Sequence, residues 1–451
     1  MIRHSYNTYI RCLFLFTFYF LLSFSMSAEE ADSALTTPAV TTDTKNNVIN
    51  IDLHLLTHGE IRDGGMSQST VDDKTQFIMG RERLVIGYEM PWLETKLNIQ
   101  HSGLWGESGK GTFNVYEAWA KIHTKGLFAQ FGRIALAYDD ERIIGPNDWA
   151  MTALSHDVLR LGYEGHGHKA HAILAYNQNS NNLSEGGSYY ADGDQPYKTM
   201  HTAWYHYDVP HFPLGASILF MNIGMQAGEK NEDPHTEYQQ LLGSYITFHP
   251  QNWKLEASYY HQFGRSDAGM KINAWMASGK VDWTPITKIG VEAGYDYMSG
   301  DKYFAVPAAG HIGVVHHDVI RGFNPIYGSH HDFYGAMDFF YVSTYVNGFT
   351  PGLQNAFIGV HYHPFKGMKV KADYHYLATA TDLVDMKKTL GHEFEIQASY
   401  SFNKLINISA GFSYMSGTET MDRLKRANGS GSLRWGWVSL NITPRILSHK
   451  C

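Results

Sequence analysis

From about residue 47 onward, apolar and polar side chains alternate with a period of two, and no block keeps the 3.6-residue period of a helix. In 393–402, Phe394, Ile396, Ala398, Tyr400 and Phe402 share one face, opposite Glu393, Glu395, Gln397, Ser399 and Ser401. In 405–414, Ile406, Ile408, Ala410, Phe412 and Tyr414 oppose Asn407, Ser409, Gly411 and Ser413. The same pattern sets Ile289, Val291, Ala293, Tyr295 and Tyr297 against Lys288, Glu292 and Asp296. It sets Met368, Val370, Ala372, Tyr374 and Tyr376 against Lys369, Lys371, Asp373 and His375. Segment 253–263 carries Lys254, Glu256, Ser258 and Gln262 on its polar side. Each segment predicts a β-strand with one charged face and one apolar face. A water-soluble sandwich would turn the apolar face to its core, and a membrane barrel would turn it to lipid.

The connections separate these two architectures. Short turns are predicted at Pro91, 124–126, 165–168, 208–213, 249–252, 284–287, 363–367 and 402–405. Longer Gly-, Asn- and Asp-rich loops fall at 63–76, 138–154, 179–197, 225–236, from 299 onward, 379–388 and 417–431. Short turns on one side and long loops on the other describe an outer-membrane barrel, periplasmic and external respectively. A direct count finds about nineteen strands, one of them 335–346 (GAMDFFYVSTYV), which would place the short turn HPFKG among the external loops. Removing 335–346 as a spanning strand leaves about eighteen, an even number as bacterial barrels require, and makes 299–352 one long external or lumen-entering segment. The predicted fold is therefore all-β: an antiparallel transmembrane barrel, too wide for its own side chains to fill.

Composition agrees. Mean hydropathy is −0.31, yet the chain holds 29 Tyr, 24 Phe, 10 Trp and 43 Gly, as expected of aromatic girdles around a polar lumen. At the N-terminus, Arg3 and Arg11 precede the apolar run Leu13–Phe24, followed by small residues Ser25, Ser27 and Ala28 and then Glu29-Glu30. This order predicts a signal peptide over 1–28, a flexible periplasmic tail over 29–46 and the barrel over 47–451. No later stretch is apolar for the eighteen or so residues of a membrane helix. Cys12 would leave with the signal and Cys451 is terminal, so no disulfide framework is expected. The net charge of −8, without a basic tail, excludes nucleic acid as a partner.

Two motifs carry more specific information. In 132–149 (GRIALAYDDERIIGPNDW), Gly132-Arg133, Tyr138, Asp140, Arg142, Gly145 and Trp149 recur at a distinctive spacing. Further on, Gly300-Asp301 is followed by Phe323, Pro325, Tyr327-Gly328, His330, Phe333, Gly335 and Met337-Asp338. At these positions the sequence resembles the alginate export family of outer-membrane porins, with Ile134 and Asp139 as departures and a longer spacer after Asp301. The resemblance implies an eighteen-stranded monomeric barrel whose basic constriction passes an anionic polysaccharide outward. It would put Arg133 and Arg142 at that constriction, where guanidinium groups meet carboxylates in bidentate fashion. From the residues alone, Asp140 and Arg142 fit equally an ion-pair lattice that pins the loop to the wall. Arg81 and Arg83 would add a local basic patch around Glu82, and Trp149, Asp301, His330 and Asp338 would mark the two loop motifs.

The wall charges point elsewhere than to a polyanion. Lys254, Lys288, Lys369 and Lys371 are matched by Glu256, Glu292, Asp296, Asp373, Glu393 and Glu395; Arg62 lies near Glu60 and Lys96 near Glu94. Selectivity rings use one sign of charge, so this mixture predicts weak or cation-leaning selectivity. The 25 histidines include His166/His168/His171, His316-His317 and His330-His331, read as loop polarity rather than metal ligands. No G-x-S-x-G elbow occurs, and neither enzyme activity nor a cofactor is expected. The sequence thus predicts a monomeric channel among outer-membrane lipids, for hydrophilic solutes or an anionic polysaccharide. The competing readings are a plugged barrel with a surface-structural role and, more remotely, an outer-membrane enzyme.

Overall fold

The computed structural model describes residues 47–63, 74–107, 109–180, 183, 189–190, 195–301, 319–338, 340, 350–425 and 432–450. The chain divides into units 1–45 and 46–451, and the first lies outside the described residues together with the signal and tail segments expected there.

The strands are β1 (Val48–Asp63), β2 (Lys74–Met90), β3 (Leu93–Leu104), β4 (Thr112–Thr124), β5 (Leu127–Ile134), β6 (His156–Gly165), β7 (His168–Tyr176), β8 (Thr199–Asp208), β9 (Leu214–Ala227) and β10 (His235–Phe248). They continue with β11 (Trp253–Arg265), β12 (Lys271–Ile286), β13 (Ile289–Met298), β14 (Val319–Ile320), β15 (Leu353–Tyr362), β16 (Met368–Ala378), β17 (Thr389–Ser401), β18 (Ile406–Gly417), β19 (Ser432–Ile442) and β20 (Arg445–Lys450). Successive spanning strands pair antiparallel, and β1 closes the ring. Its upper half pairs with β19, from Leu55 opposite Ile442 to Asp63 opposite Arg434, and its lower half with β20, from Val48 opposite Lys450 to Asp52 opposite Arg445. β19 and β20 are one final strand interrupted at Thr443-Pro444, where proline has no N–H to give the ladder. β13 pairs directly with β15, so nothing described between Met298 and Leu353 spans the wall. The result is a closed barrel of eighteen strands among the described residues. Closure leaves no strand edge unpaired in lipid, the condition that makes a β-structure viable there. No described helix is long and apolar enough to cross a membrane.

Seven of the eight short connections fall where the turn residues place them; the one expected at 284–287 reverses at 287–288, with Thr284, Pro285 and Ile286 still in β12 beside a ladder irregularity. Lys125-Gly126 (φ 47° and 86°) and His166-Gly167 (φ 54° and 82°) give two-residue turns whose left-handed backbone suits the twist of the flanking strands. Both described ends of the barrel lie at this same short-turn end, Val48 beside Glu89 and Lys450.

Strand parity fixes what faces out. Phe394 (50% exposed), Ile396, Phe412, Tyr374 and Tyr295 point outward, while Glu393, Glu395, Ser413, Asp373 and Asp296 are buried inside. The apolar face is the lipid face. The inner face is not uniformly polar, however. Near the long-loop end Ile173, Met200, Met221, Leu241, Met276, Leu377 and Met415 turn inward and are fully buried. They pack on Ile143, Ile144, Phe323, Tyr327, Tyr334 and Met337, which lie within the lumen. The core of this protein is therefore inside the barrel, between the wall and two inserted loops.

Candidate functional site

The two loops are 135–155, joining β5 to β6, and 319–338, described from within the connection between β13 and β15. They bind each other through backbone. The Tyr327 N–H donates to the Ile143 carbonyl (3.1 Å) and the Gly145 N–H to the Tyr327 carbonyl (2.9 Å), forming a short parallel bridge. The Ser329 N–H donates to the Glu141 carbonyl (2.9 Å), while its hydroxyl donates to the Glu141 carboxylate (2.8 Å) and accepts from the Asn147 N–H (3.0 Å). Gly328 lies flat on the Arg142 carbonyl, where any side chain would overlap it. Asp139, Glu141, Asn147, Ala153, Ile326, Tyr334 and Asp338 all hold positive φ. For β-branched Ile326 (φ 47°) this is a strained conformation, retained because neighbours over-determine it.

Those neighbours are inward-facing wall residues from much of the circumference. Asp139 accepts from Trp204 Nε1 (2.9 Å) and from the Ser217 hydroxyl, on β8 and β9. Burial nevertheless raises the Asp139 carboxyl above the usual carboxylate range. Gln262 on β11 clamps Asn324, donating to its carbonyl (2.6 Å) and accepting from its N–H (3.0 Å). Glu395 and Glu393 on β17 accept from the N–H groups of Ala336 (2.7 Å) and Met337 (2.9 Å). Gln100 on β3 donates to the carbonyls of Met151 (3.2 Å) and Thr152 (3.1 Å).

Most of the residues singled out in the sequence sit on or against the two loops. Arg142 is enclosed between the loops and the wall: Nε meets Asp140 (3.2 Å), Nη1 meets Tyr334 Oη (2.7 Å) and Asp296 (3.2 Å), and Nη2 meets Ser278 (3.1 Å). Its guanidinium also lies 4.0 Å from the Phe333 ring centroid. Arg81 and Arg83, both buried on β2, grip the same loop 135–155 through one carboxylate: Asp148 Oδ2 meets Arg81 at 3.1 Å and Oδ1 meets Arg83 at 2.7 Å. Trp149 stacks on His331 (3.9 Å, 6°) and presents edges to Trp435 and Trp437, and His331 in turn pairs with Asp338 (2.8 Å). His330 is half-buried, and the desolvation pushes its imidazole down to about 4; the partial loss of water around neighbouring Asp332 raises its carboxyl. Asp301 accepts from the N–H groups of Arg321 (2.6 Å) and Gly322 (3.0 Å) at the long-loop rim.

Arg133 corrects the expectation placed on it. It follows outward-facing Phe131 by two residues and pairs bidentately with Asp157 (2.8 Å to each oxygen), whose strand neighbour Leu159 also faces out. Parity places this pair on the outside of the barrel, away from any constriction. The alternation was legible: Leu127, Phe131 and Arg133 share one face, and the first two are apolar.

Toward the short turns, below the loops, the inner wall is laddered with opposite charges. Lys96 pairs with Glu117 (2.5 Å), Lys280 with Glu292 (3.0 Å), Lys371 with Glu292 (2.8 Å) and Asp373 (3.0 Å), and Lys254 with Glu256 (2.9 Å). The lysines stay partly exposed, 33% for Lys96 and Lys280 and 43% for Lys371, so these pairs line accessible space. No group of three or more His, Cys, Asp or Glu among the described residues is arranged to hold a metal ion.

The family model for alginate export matches residues 106–408. The chain belongs to the alginate export family. Solved structures agree in fold. Pseudomonas aeruginosa OpdL superposes with a TM-score of 0.60 at 13% identity, covering 88% of this chain and 99% of that one. P. aeruginosa OccK2 (OpdF), solved in complex with glucuronate, gives 0.59 at 11% identity over 88% and 98%. A BenF-like porin from Pseudomonas fluorescens Pf-5 gives 0.59 at 10% identity over 88% and 99%. No curated protein sequence matches the chain. As a member of the alginate export family with this barrel, the protein is an outer-membrane channel for solute passage.

Proposed function

We propose that this channel passes small hydrophilic solutes by diffusion, without covalent chemistry, and that loops 135–155 and 319–338 form its narrowest part. The observation carrying this reading is charge neutralisation at the loops. Arg81 and Arg83 share Asp148, and Arg142 lies between Asp140 and Asp296. A conduit for a polyanion needs cations left free to replace the polymer's counterions, whereas these guanidiniums are already occupied. The mixed ladder below them extends the same balance and supports weak or cation-leaning selectivity. The glucuronate found with OccK2 is a solute of the size and polarity this reading favours.

Family membership supports a second reading, outward passage of an alginate-like polysaccharide. Reversal potentials across a planar bilayer under a salt gradient discriminate the two. A value near zero, or of cation-selective sign, supports the first reading, and strong anion selectivity supports the second. We further propose that the barrel works as a monomer embedded directly in lipid, that 1–28 is removed as a signal peptide, and that Arg142 and the Arg81–Asp148–Arg83 cluster position the loops rather than bind solute.

A further inference from the structure

At the long-loop end β12 runs past the end of β13: Met298 stands opposite Met276, and residues 271–275 continue beyond it. The edge left free is taken by Val319–Ile320, which runs parallel to Lys271–Ile272. Ser299 and Asp301 then fix the next residue, the Ser299 hydroxyl donating to the Arg321 carbonyl (2.7 Å) and Asp301 accepting from the Arg321 N–H (2.6 Å). Between these strands lies a cavity of about 410 Å³ lined by Gly264, Arg265, Lys271, Ile272, Asn273, Val319 and Arg321.

Parity decides which way the strand cations at this cavity face. Ile272 and Ala274 are buried inside, so Lys271 and Asn273 face outward, and Arg265 is the cross-strand partner of Lys271. Phe263, Met270, Trp275 and Tyr259 are exposed on the same outer surface, and Trp275 stacks on Tyr297 (4.7 Å). These rings make a girdle of the kind that sits at a membrane–water interface. Three exposed cations therefore stand at the girdle, on the lipid side, at the external rim. Cations facing lipid are costly at the bilayer centre and nearly free at its interface, which fits this height. One Arg265 donor is used by the Gly269 carbonyl (2.6 Å), and no ion pair joins Arg265, Lys271 or Arg321 to a carboxylate among the described residues. The nearby carboxylates are engaged with backbone: Asp267 accepts from the Ala268 N–H (2.8 Å) and Asp301 holds Arg321 as above. Two guanidiniums and an ammonium around a rim cavity match the donors that a phosphate monoester takes up.

We propose that this cavity binds the phosphorylated headgroup of an outer-leaflet glycolipid, with Arg265, Lys271 and Arg321 on the phosphate and the aromatic girdle beside the acyl chains. The source is lipid because Arg265 and Lys271 stand on the lipid-facing side of the wall beside the exposed Phe263, Tyr259 and Trp275, where acyl chains lie next to the headgroup. The inference adds a lipid site to the channel reading and does not depend on which solute passes.

The test is native mass spectrometry of the full-length barrel in detergent, titrated with diphosphoryl lipid A. A triple Arg265→Gln/Lys271→Gln/Arg321→Gln variant is expected to lose about a hundredfold in affinity, since each of the three cations near an anionic lipid surface contributes on the order of a factor of five. The charge-keeping Arg265→Lys/Arg321→Lys variant should retain most of the binding, and heat-modifiable migration shows each variant folded. Fully dephosphorylated lipid A should bind as weakly to the native protein as the diphosphoryl form does to the triple variant. Unchanged affinity in a folded triple variant overturns the proposal. So does inorganic phosphate competing at the same concentration as the lipid, which would mark a free-anion site.

Discussion

Replacing Arg142 with Met removes the guanidinium that ties both loops to the β12–β13 wall. The residue is buried, and its partners come from both loops and the wall: Asp140, Tyr334, Ser278 and Asp296. Asp296 keeps hydrogen bonds from Ser278 (2.6 Å) and Asn355 (2.9 Å) but loses its counter-charge while its side chain is only 3% exposed. Stranding one member of a buried ion pair costs about 3–5 kcal/mol, a factor of roughly a hundred to a few thousand. That cost falls on loop docking, because the wall ladders around β12 and β13 do not use Arg142. Loops 135–155 and 319–338 should therefore leave the wall part of the time while the barrel remains closed. Single-channel recording should show higher mean conductance and frequent sub-state transitions, with heat-modifiable migration retained. In an Asp296→Asn background the same Arg142→Met change should add much less noise, since no charge is left stranded. A variant that folds and conducts with native amplitude and native noise refutes the reasoning.

Asp148→Asn leaves Arg81 and Arg83 without their shared carboxylate, so the reversal potential under a salt gradient should move toward anion selectivity; no movement would place this cluster off the conduction path. His330 is held near 4 in the folded protein against about 6.5 in an unfolded chain, so it favours the docked loop fully above that upper value. Its contribution is lost as pH falls from about 6.5 toward 4 and the unfolded or undocked state takes the proton. Asp332 acts in the opposite sense, its raised carboxyl favouring the docked state at low pH. Channel noise should therefore rise on acidification through the histidine window, and His330→Gln should flatten that rise. Trp149→Ala removes the stack on His331 and the edges on Trp435 and Trp437, at about 3 kcal/mol, the low end for a truncated aromatic because Trp149 is only partly buried, and should increase protease cleavage within 135–155. Mass spectrometry of the protein from outer-membrane fractions should find Glu29 as its first residue; an intact Met1 would contradict a cleaved signal.

The wall was readable from the sequence because each spanning strand repeats one rule. Period-two alternation named the outward faces of β13, β16, β17 and β18, and seven of the eight short turns carried Gly, Pro, Asn or Asp where the backbone must reverse; at 287–288 the turn is Thr-Lys, and Pro285 sits in the strand before it. Parity of the strand count also removed 335–346 from the wall, in agreement with the direct pairing of β13 and β15; of that segment, 339 and 341–346 lie outside the described residues. The lumen was far less legible. In β9 the inward face changes from Ser217 to Leu219, Met221 and Ile223, so the strand becomes apolar on both sides and its alternation fades. Such a stretch has a physical cause, a second packing surface inside the barrel, yet sequence alone does not say what packs there. Arg133 was misplaced for a simpler reason. The family motif suggested a pore residue, while the parity of its own strand, set by Leu127 and Phe131, put it outside. The long-range partners of Arg142, 136 to 192 residues away, leave no local signature.

The central claim is that an eighteen-stranded outer-membrane barrel remains a conducting channel although two loops pack into its lumen. Single-channel recording of purified, heat-modifiable protein in a planar bilayer tests it most directly. The account expects discrete, uniform conductance steps of weak or cation-leaning selectivity, which grow when Arg142 is replaced. Folded protein that inserts and stays electrically silent at every voltage would contradict it.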